Sequence, residues 1–197
     1  MAPPDPVLKT NQSFPGRMDT QLPRMTLPHY LAWLGLALLI VLIDQLTKAA
    51  AVANLELYRP VALTPWLNLT LAHNTGAAFS LLADADGWQR GLFIAAASAI
   101  SIFILIWLWR LPMVARTLPT ALMLVLGGAI GNLIDRFRHG YVIDFIDFHY
   151  QGWHWPAFNF ADTAIVVGVG LMLIESLFEP HHGPGQESTT RPAKRKH

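Results

Sequence analysis

Hydrophobic residues along this 197-residue chain are gathered into four long runs. The first is Tyr30–Val52, interrupted by Asp44 and Lys48. The second is Gly91–Trp109. The third is Leu118–Ile134, which contains Gly127, Gly128 and Gly131. The fourth is Phe160–Phe178. Each is near the ~20 residues that carry an α-helix across ~30 Å of hydrocarbon. Between the first two runs, Trp66-Leu-Asn-Leu-Thr-Leu-Ala72 alternates apolar and polar residues with period two, which predicts a strand. Asn74-Thr75-Gly76 supplies the turn after it. The pattern predicts an all-α integral membrane protein: four transmembrane helices with a small β-rich cap, about 54–89, on the outer membrane surface. The four-helix domain spans 29–178. Residues 1–28 are polar and Pro-rich, and 179–197 are polar and basic at their end. Both are expected to be disordered cytoplasmic tails. No internal repeat is evident.

Composition strengthens this picture. The chain is 53% hydrophobic and only 14% charged, where a soluble domain carries about 25% charged residues. Mean hydropathy is +0.36. The absence of cysteine excludes disulfides, thiolate nucleophiles and zinc–cysteine sites. A net charge of +1 gives no reason to expect nucleic acid. A cleaved signal peptide is a rival reading of the first run, since Leu31–Ile43 has the right length and Ala51-Val-Ala53 resembles a cleavage site. Asp44, Lys48 and the long preceding tail speak against it. Lys and Arg set the orientation. Nine of them lie in the two tails and the Arg110–Arg116 loop, against five in the remaining segments. Both termini are therefore expected in the cytoplasm, with the second outward segment being Arg138–Asn159.

Polar residues inside the runs point to function. Asp44, Asn132, Asp135, Arg136 and Asp162 sit within or at the edge of membrane-spanning segments. A charge at a helix centre there costs roughly 2.5–3.5 kcal/mol. Threaded through a membrane, all five fall at the outer side. Asn132 shares a helix face with Asp135 and Arg136, three and four residues on. Glycines 127, 128 and 131 let a neighbouring helix approach closely. Asp144 and Asp162, on separate segments, can meet at the membrane surface. Two carboxylates held together share a proton, so that one can activate water and the other can polarise a carbonyl. The structural alternatives are a first-turn role for Asp162, an ion pair of Asp135 with Arg136 or Arg138, and an i,i+4 pair of Asp44 with Lys48. Asp147 reads as a solvated loop acid. Asn68-Leu-Thr and Asn11-Gln-Ser match the glycosylation pattern only as short motifs. His139, His149 and His154 are irregularly spaced and there is no His-Glu-x-x-His, so neither a metal nor any other cofactor is expected. Intramembrane Asp, Asn and Arg also mark ion pathways, so a small polytopic ion or solute transporter is the alternative function, and a membrane scaffold packed through the glycines is a third.

Five short motifs resemble the signal peptidase II family, the lipoprotein signal peptidases of bacterial inner membranes. They are Asp44-Gln-Leu-Thr-Lys48; His73-Asn-Thr-Gly-Ala-Ala-Phe79-Ser80; Gly127-Gly-Ala-Ile-Gly-Asn-Leu-Ile-Asp-Arg136; Gly140-Tyr-Val-Ile-Asp144-Phe; and Pro156-Ala-Phe-Asn-Phe-Ala-Asp162. The resemblance covers about Tyr30 to Phe178. It implies a membrane aspartic endopeptidase that removes the signal peptide from diacylglyceryl prolipoproteins, just before the lipidated cysteine. It implies Asp144 and Asp162 as the catalytic pair. Asn74, Asn132, Arg136 and Asn159 would line the substrate site, with Asp44, Lys48, Gly76 and Asp135 supporting it. Asp147 has no place in the family's motif. The implied location is the bacterial inner membrane, multi-pass, with the active site at the periplasmic face. The expected partners are the prolipoprotein substrates and membrane lipid, and the expected state is a monomer.

Overall fold

A computed structural model describes residues 22–76 and 88–178. The elements are α1 (Leu27–Asn54), β1 (Val61–Thr64), β2 (Leu67–Asn74), α2 (Trp88–Arg110), α3 (Thr117–Arg138), β3 (Val142–Tyr150), β4 (Trp153–His154) and α4 (Phe160–Phe178). All four helices are long and apolar enough to cross a membrane. Residues 1–21 and 179–197 of the tails expected to be disordered lie outside the described residues, as does the stretch 77–87 within the predicted cap. Residues 22–28, expected to belong to the first tail, are instead structured: Arg24 is bridged to Pro112, Met25 is buried and α1 begins at Leu27.

Helix α3 is the most enclosed of the four and packs against each of the others. Lipid tails are as apolar as leucine, so close fit rather than water exclusion holds such helices together. The glycines make that fit possible. A Cβ at Gly127 would lie 2.6 Å from the Cβ of Ile40 on α1, and one at Gly128 would strike the backbone oxygen of Ala161 on α4. Gly168 of α4 returns the contact, 2.7 Å from the Ala121 carbonyl oxygen by the same measure. Toward the end of the bundle where α2 finishes, Met25, Ala37, Ile104, Leu108, Leu122, Met123 and Leu126 form a buried cluster. Leu38, Leu42, Phe103, Ile106, Leu173 and Leu177 stay exposed, as helix faces turned to lipid do.

The strands form one antiparallel sheet in the order β1-β2-β3-β4. This corrects the expected cap. The region 54–89 contributes only β1 and β2 to it, and the second outward segment supplies β3 and β4. The β2–β3 register sets Asn68 opposite Asp147, Ala72 opposite Asp144 and Asn74 opposite Val142, with an irregularity between Leu69 and Ala72. Gln151 and Gly152 close the β3–β4 hairpin with φ of 49° and 81°. Positive values at both central positions give the tight turn whose twist matches that of paired strands.

Candidate active site

The site begins with the start of α4. Asn159 Oδ1 accepts the Asp162 N–H at 3.0 Å, and Asp162 Oδ2 accepts the Asn159 N–H at 3.3 Å. This reciprocal cap satisfies two helix N–H groups that have no partner inside the helix. A third, that of Ala161, donates to Asp44 Oδ1 of α1 at 3.0 Å. The cap orients Asp162 as well as starting the helix.

Beneath it lies a buried ionic cluster. Lys48, 1% exposed, sits 2.9 Å from Asp44 and 2.8 Å from Asp135, both themselves buried. The Asp44–Lys48 pair matches the i,i+4 expectation. Asp135 does not pair with Arg136 or Arg138 as the sequence suggested. Its side chain points into the bundle, where Lys48 is its counterion and the Ile143 N–H donates to its Oδ2 at 3.2 Å. Gln45 Nε2 adds hydrogen bonds to Asp44 Oδ2 at 3.2 Å and Asp135 Oδ1 at 3.0 Å. No motif reasoning had singled out Gln45, although it stands inside the first motif. Gly131 leaves room for the cluster, because a Cβ there would strike the Asp44 carboxylate.

Two amides connect this cluster to the acids above. Lys48 Nζ donates to Asn132 Oδ1 at 2.9 Å, and Asn132 Nδ2 donates to Asp162 Oδ1 at 2.7 Å. Asn159 Nδ2 donates to Asp144 Oδ1 at 2.7 Å and lies 3.2 Å from Asn132 Oδ1. Asp144 and Asp162 are thus brought together, each gripped by an asparagine. Asp144 is 1% exposed. Burial first, and then the charge of Asp162, push its carboxyl up to about 7, against the hydrogen bonds of Asn74 and Asn159. Asn74 reaches it from β2, two residues along from the position opposite Asp144. Its own Oδ1 accepts the Gly76 N–H at 2.8 Å. Gly76 has φ of +96°, and Phe93 of α2 fills the space a side chain would need. Arg136 stacks over that Phe93 ring at 5.0 Å and donates to the Asn132 carbonyl at 3.3 Å. Among the described residues it makes no ion pair, which leaves the guanidinium available near the acids.

Two openings flank the pair. Asp144, His73, Asn74 and Pro156 line a small pocket of about 200 Å³. Asp162 lies on a larger cleft of about 600 Å³, walled by Trp66, Phe148, Trp153, Trp155, Phe158 and Val166.

Asp147 is not a solvated loop acid. It lies on β3 and is 6% exposed. Asn68 Nδ2 donates to it at 2.9 Å and His154 Nδ1 approaches to 2.9 Å. Burial would raise its pKa. The hydrogen bonds from Asn68 and His154 and the charges of His154 and His149 outweigh that and hold its carboxyl below the usual range. Asn68, 7% exposed, is committed to this contact and is no glycosylation surface. His149 and His154 stack at 5.2 Å, while His139 lies beside Tyr141 instead. Among the described residues no group of three His, Asp or Glu is placed to hold a metal.

A family profile described as Signal peptidase (SPase) II matches residues 36–178. The chain belongs to the signal peptidase II family. It is 54% identical over 151 residues to the lipoprotein signal peptidase of Acinetobacter baylyi, covering 77% of this chain and 84% of that protein. It is 48% identical over 150 residues to that of Yersinia enterocolitica, covering 76% and 89%. A solved structure described as a bacterial membrane enzyme, determined by the in meso method at 2.3 Å, superposes with a TM-score of 0.67 at 26% identity. It covers 89% of this chain and 99% of its own. Family membership makes the chain a multi-pass membrane peptidase of the lipoprotein signal peptidase type, and sets aside the transporter and scaffold readings.

Proposed function

We propose that the chain is an aspartic endopeptidase whose catalytic pair is Asp144 and Asp162, acting on prolipoproteins that already carry diacylglycerol on their cysteine. The observation that carries this reading is the pair itself: two acids on different elements, joined through Asn159 and Asn132, with Asp144 pushed up to about 7. The raised value favours the proton on Asp144, which leaves Asp162 as the base of the proposed pair. Asp162 takes a proton from a water molecule as its oxygen attacks the scissile carbonyl. Asp144 gives its proton to the carbonyl oxygen as that oxygen gains charge. Asp162 passes the proton it took from water to the amine nitrogen as the C–N bond breaks, and Asp144 recovers its proton from the hydroxyl as the carbonyl re-forms, which restores the pair. Arg136, Asn74, Asn132 and Asn159 are the groups that hold the substrate and the pair in place, and Asp44, Lys48, Gly76 and Asp135 support them.

The large cleft suits a lipidated substrate. It opens on Asp162 and its walls are aromatic, and Trp and Tyr favour the headgroup layer. A bond anchored by acyl chains at that depth meets the acids without leaving the membrane surface. In this arrangement the domain of about 29–178 works as a monomer in the bacterial inner membrane. Both termini are cytoplasmic, and the sheet and acids lie at the periplasmic face.

Purified Asp144→Asn and Asp162→Asn variants, assayed on a diacylglyceryl prolipoprotein, should each lose processing while remaining folded in the membrane. An amide can serve as neither base nor acid. Near-normal turnover by either variant would overturn the assignment.

A further inference from the structure

At the opposite end of the bundle, two arginines are held beside an apolar groove. Arg24 is fixed by a short antiparallel bridge to Pro112, in which the Met25 N–H donates to Leu111 O at 3.2 Å and the Met113 N–H to Pro23 O at 2.8 Å. Arg110 ends α2. Between them, Tyr30 of α1 donates its hydroxyl to the Leu105 carbonyl at 3.4 Å and meets Trp109 edge-on, with ring centroids 5.2 Å apart. Arg24, Met25, Trp109 and Arg110 line a cleft of about 520 Å³. Tyr30, Leu105, Ile106, Trp109 and Arg110 line a second, of about 490 Å³. The two adjoin at Trp109 and Arg110, so that together they offer a path from a charged mouth to an apolar groove beside α1 and α2. Tyr30 lies fourteen residues before Asp44 on α1, roughly 21 Å along a helix axis, so this path is separate from the aspartate site. Among the described residues neither arginine makes an ion pair.

We propose that this path binds an anionic phospholipid, with the phosphate between Arg24 and Arg110 and an acyl chain along Tyr30, Leu105 and Ile106. Guanidinium groups donate to phosphate oxygens in a fixed fork. Indole and phenol rings lie where headgroup meets chain, and basic pockets between transmembrane helices are fitted to acidic headgroups. A free phosphate would leave the lower groove unfilled. The lining holds no acidic side chain to receive the ammonium of a zwitterionic lipid.

The test is native mass spectrometry of the full chain released from bilayers of equimolar phosphatidylglycerol and phosphatidylcholine with matched acyl chains. The wild-type protein should retain phosphatidylglycerol with about tenfold preference. Arg24→Gln/Arg110→Gln should bring the two lipids to near parity while still processing substrate, since neither arginine touches the acids. Arg116→Gln/Lys196→Gln removes the same charge elsewhere and should keep the preference. The proposal is overturned by parity in the wild-type protein, by a preference that the Arg24/Arg110 variant keeps, by equal loss in the charge-matched control, or by displacement of the lipid with excess inorganic phosphate.

Discussion

Asp144 and Asp147 stand three residues apart on β3, and their surroundings act on them in opposite directions. Successive side chains of a strand alternate faces, so an odd spacing puts the two acids on opposite sides of the sheet. Asp144 is buried beside another carboxylate and is pushed up to about 7. Its neutral form is favoured, so its contribution to stability is present at low pH and is lost as pH rises through about 7. In the proposed mechanism the donor proton leaves over the same range. Turnover should therefore fall as pH rises through about 7, and a rate profile still climbing well above that would contradict the shared proton. Asp147 carries the opposite sign. Asn68 and His154 stabilise its anion, so its contribution is present at neutral pH and is lost as the solution is acidified below the usual carboxylate range. Asp147→Asn should retain most activity, with a loss of a few-fold at most, and should flatten the acid limb of thermal stability. A loss equal to that of Asp144→Asn, in a folded protein, would place Asp147 in the catalytic machinery.

Among the elements, α3 and α4 carry Asn132, Arg136 and Asp162 of the proposed site, and their separation is set at Gly128. A methyl group there meets the Ala161 backbone oxygen, one residue before Asp162. Gly128→Ala should destabilise by about 1–3 kcal/mol and reduce turnover at unchanged expression. Gly170→Ala on α4, where a Cβ would meet nothing within 4 Å, should leave both intact. Equal behaviour of the two variants in melting and turnover would remove Gly128 from this role. The helices themselves were legible from hydropathy, their observed ends falling within about one turn of the apolar runs, because lipid-facing segments must be apolar along their length. Strand β2 was legible too, since one of its faces is polar. Strand β3 was not. Val142, Ile143, Asp144 and Asp147 are all buried, so both faces are covered and no alternation survives in the residue pattern. The burial of Asp147 depends on Asn68, 79 positions earlier, and the counterion of Asp135 is Lys48 on another helix. A single sequence contains those residues but not their meeting. The acids, the asparagines and Lys48 were visible as polar groups in apolar or motif context; how they connect was not.

At the scale of the whole molecule, the proposed orientation rests on the Lys and Arg excess in the tails and the α2–α3 loop. A reporter that works only in the periplasm, fused after His197, should be silent, whereas an active one would put the acids on the wrong side of the membrane. The ring of hydrogen bonds that ties α1, α3, α4, β2 and β3 together also has a direction. Lys48 can only donate, so Asn132 must turn its oxygen toward the lysine and its N–H toward Asp162. Asn159 spends its oxygen on the helix start, and Asn74 spends its oxygen on Gly76, so each offers N–H to Asp144. All three amide oxygens are occupied. Within this ring the two carboxylates face donors alone, and none of these neighbours can carry a proton away. The amides therefore relay no proton: in the proposed mechanism the proton exchanges only between the two acids, with the bound substrate, or with water in the two flanking openings, so loss of turnover on the alkaline side should follow the slope of one proton.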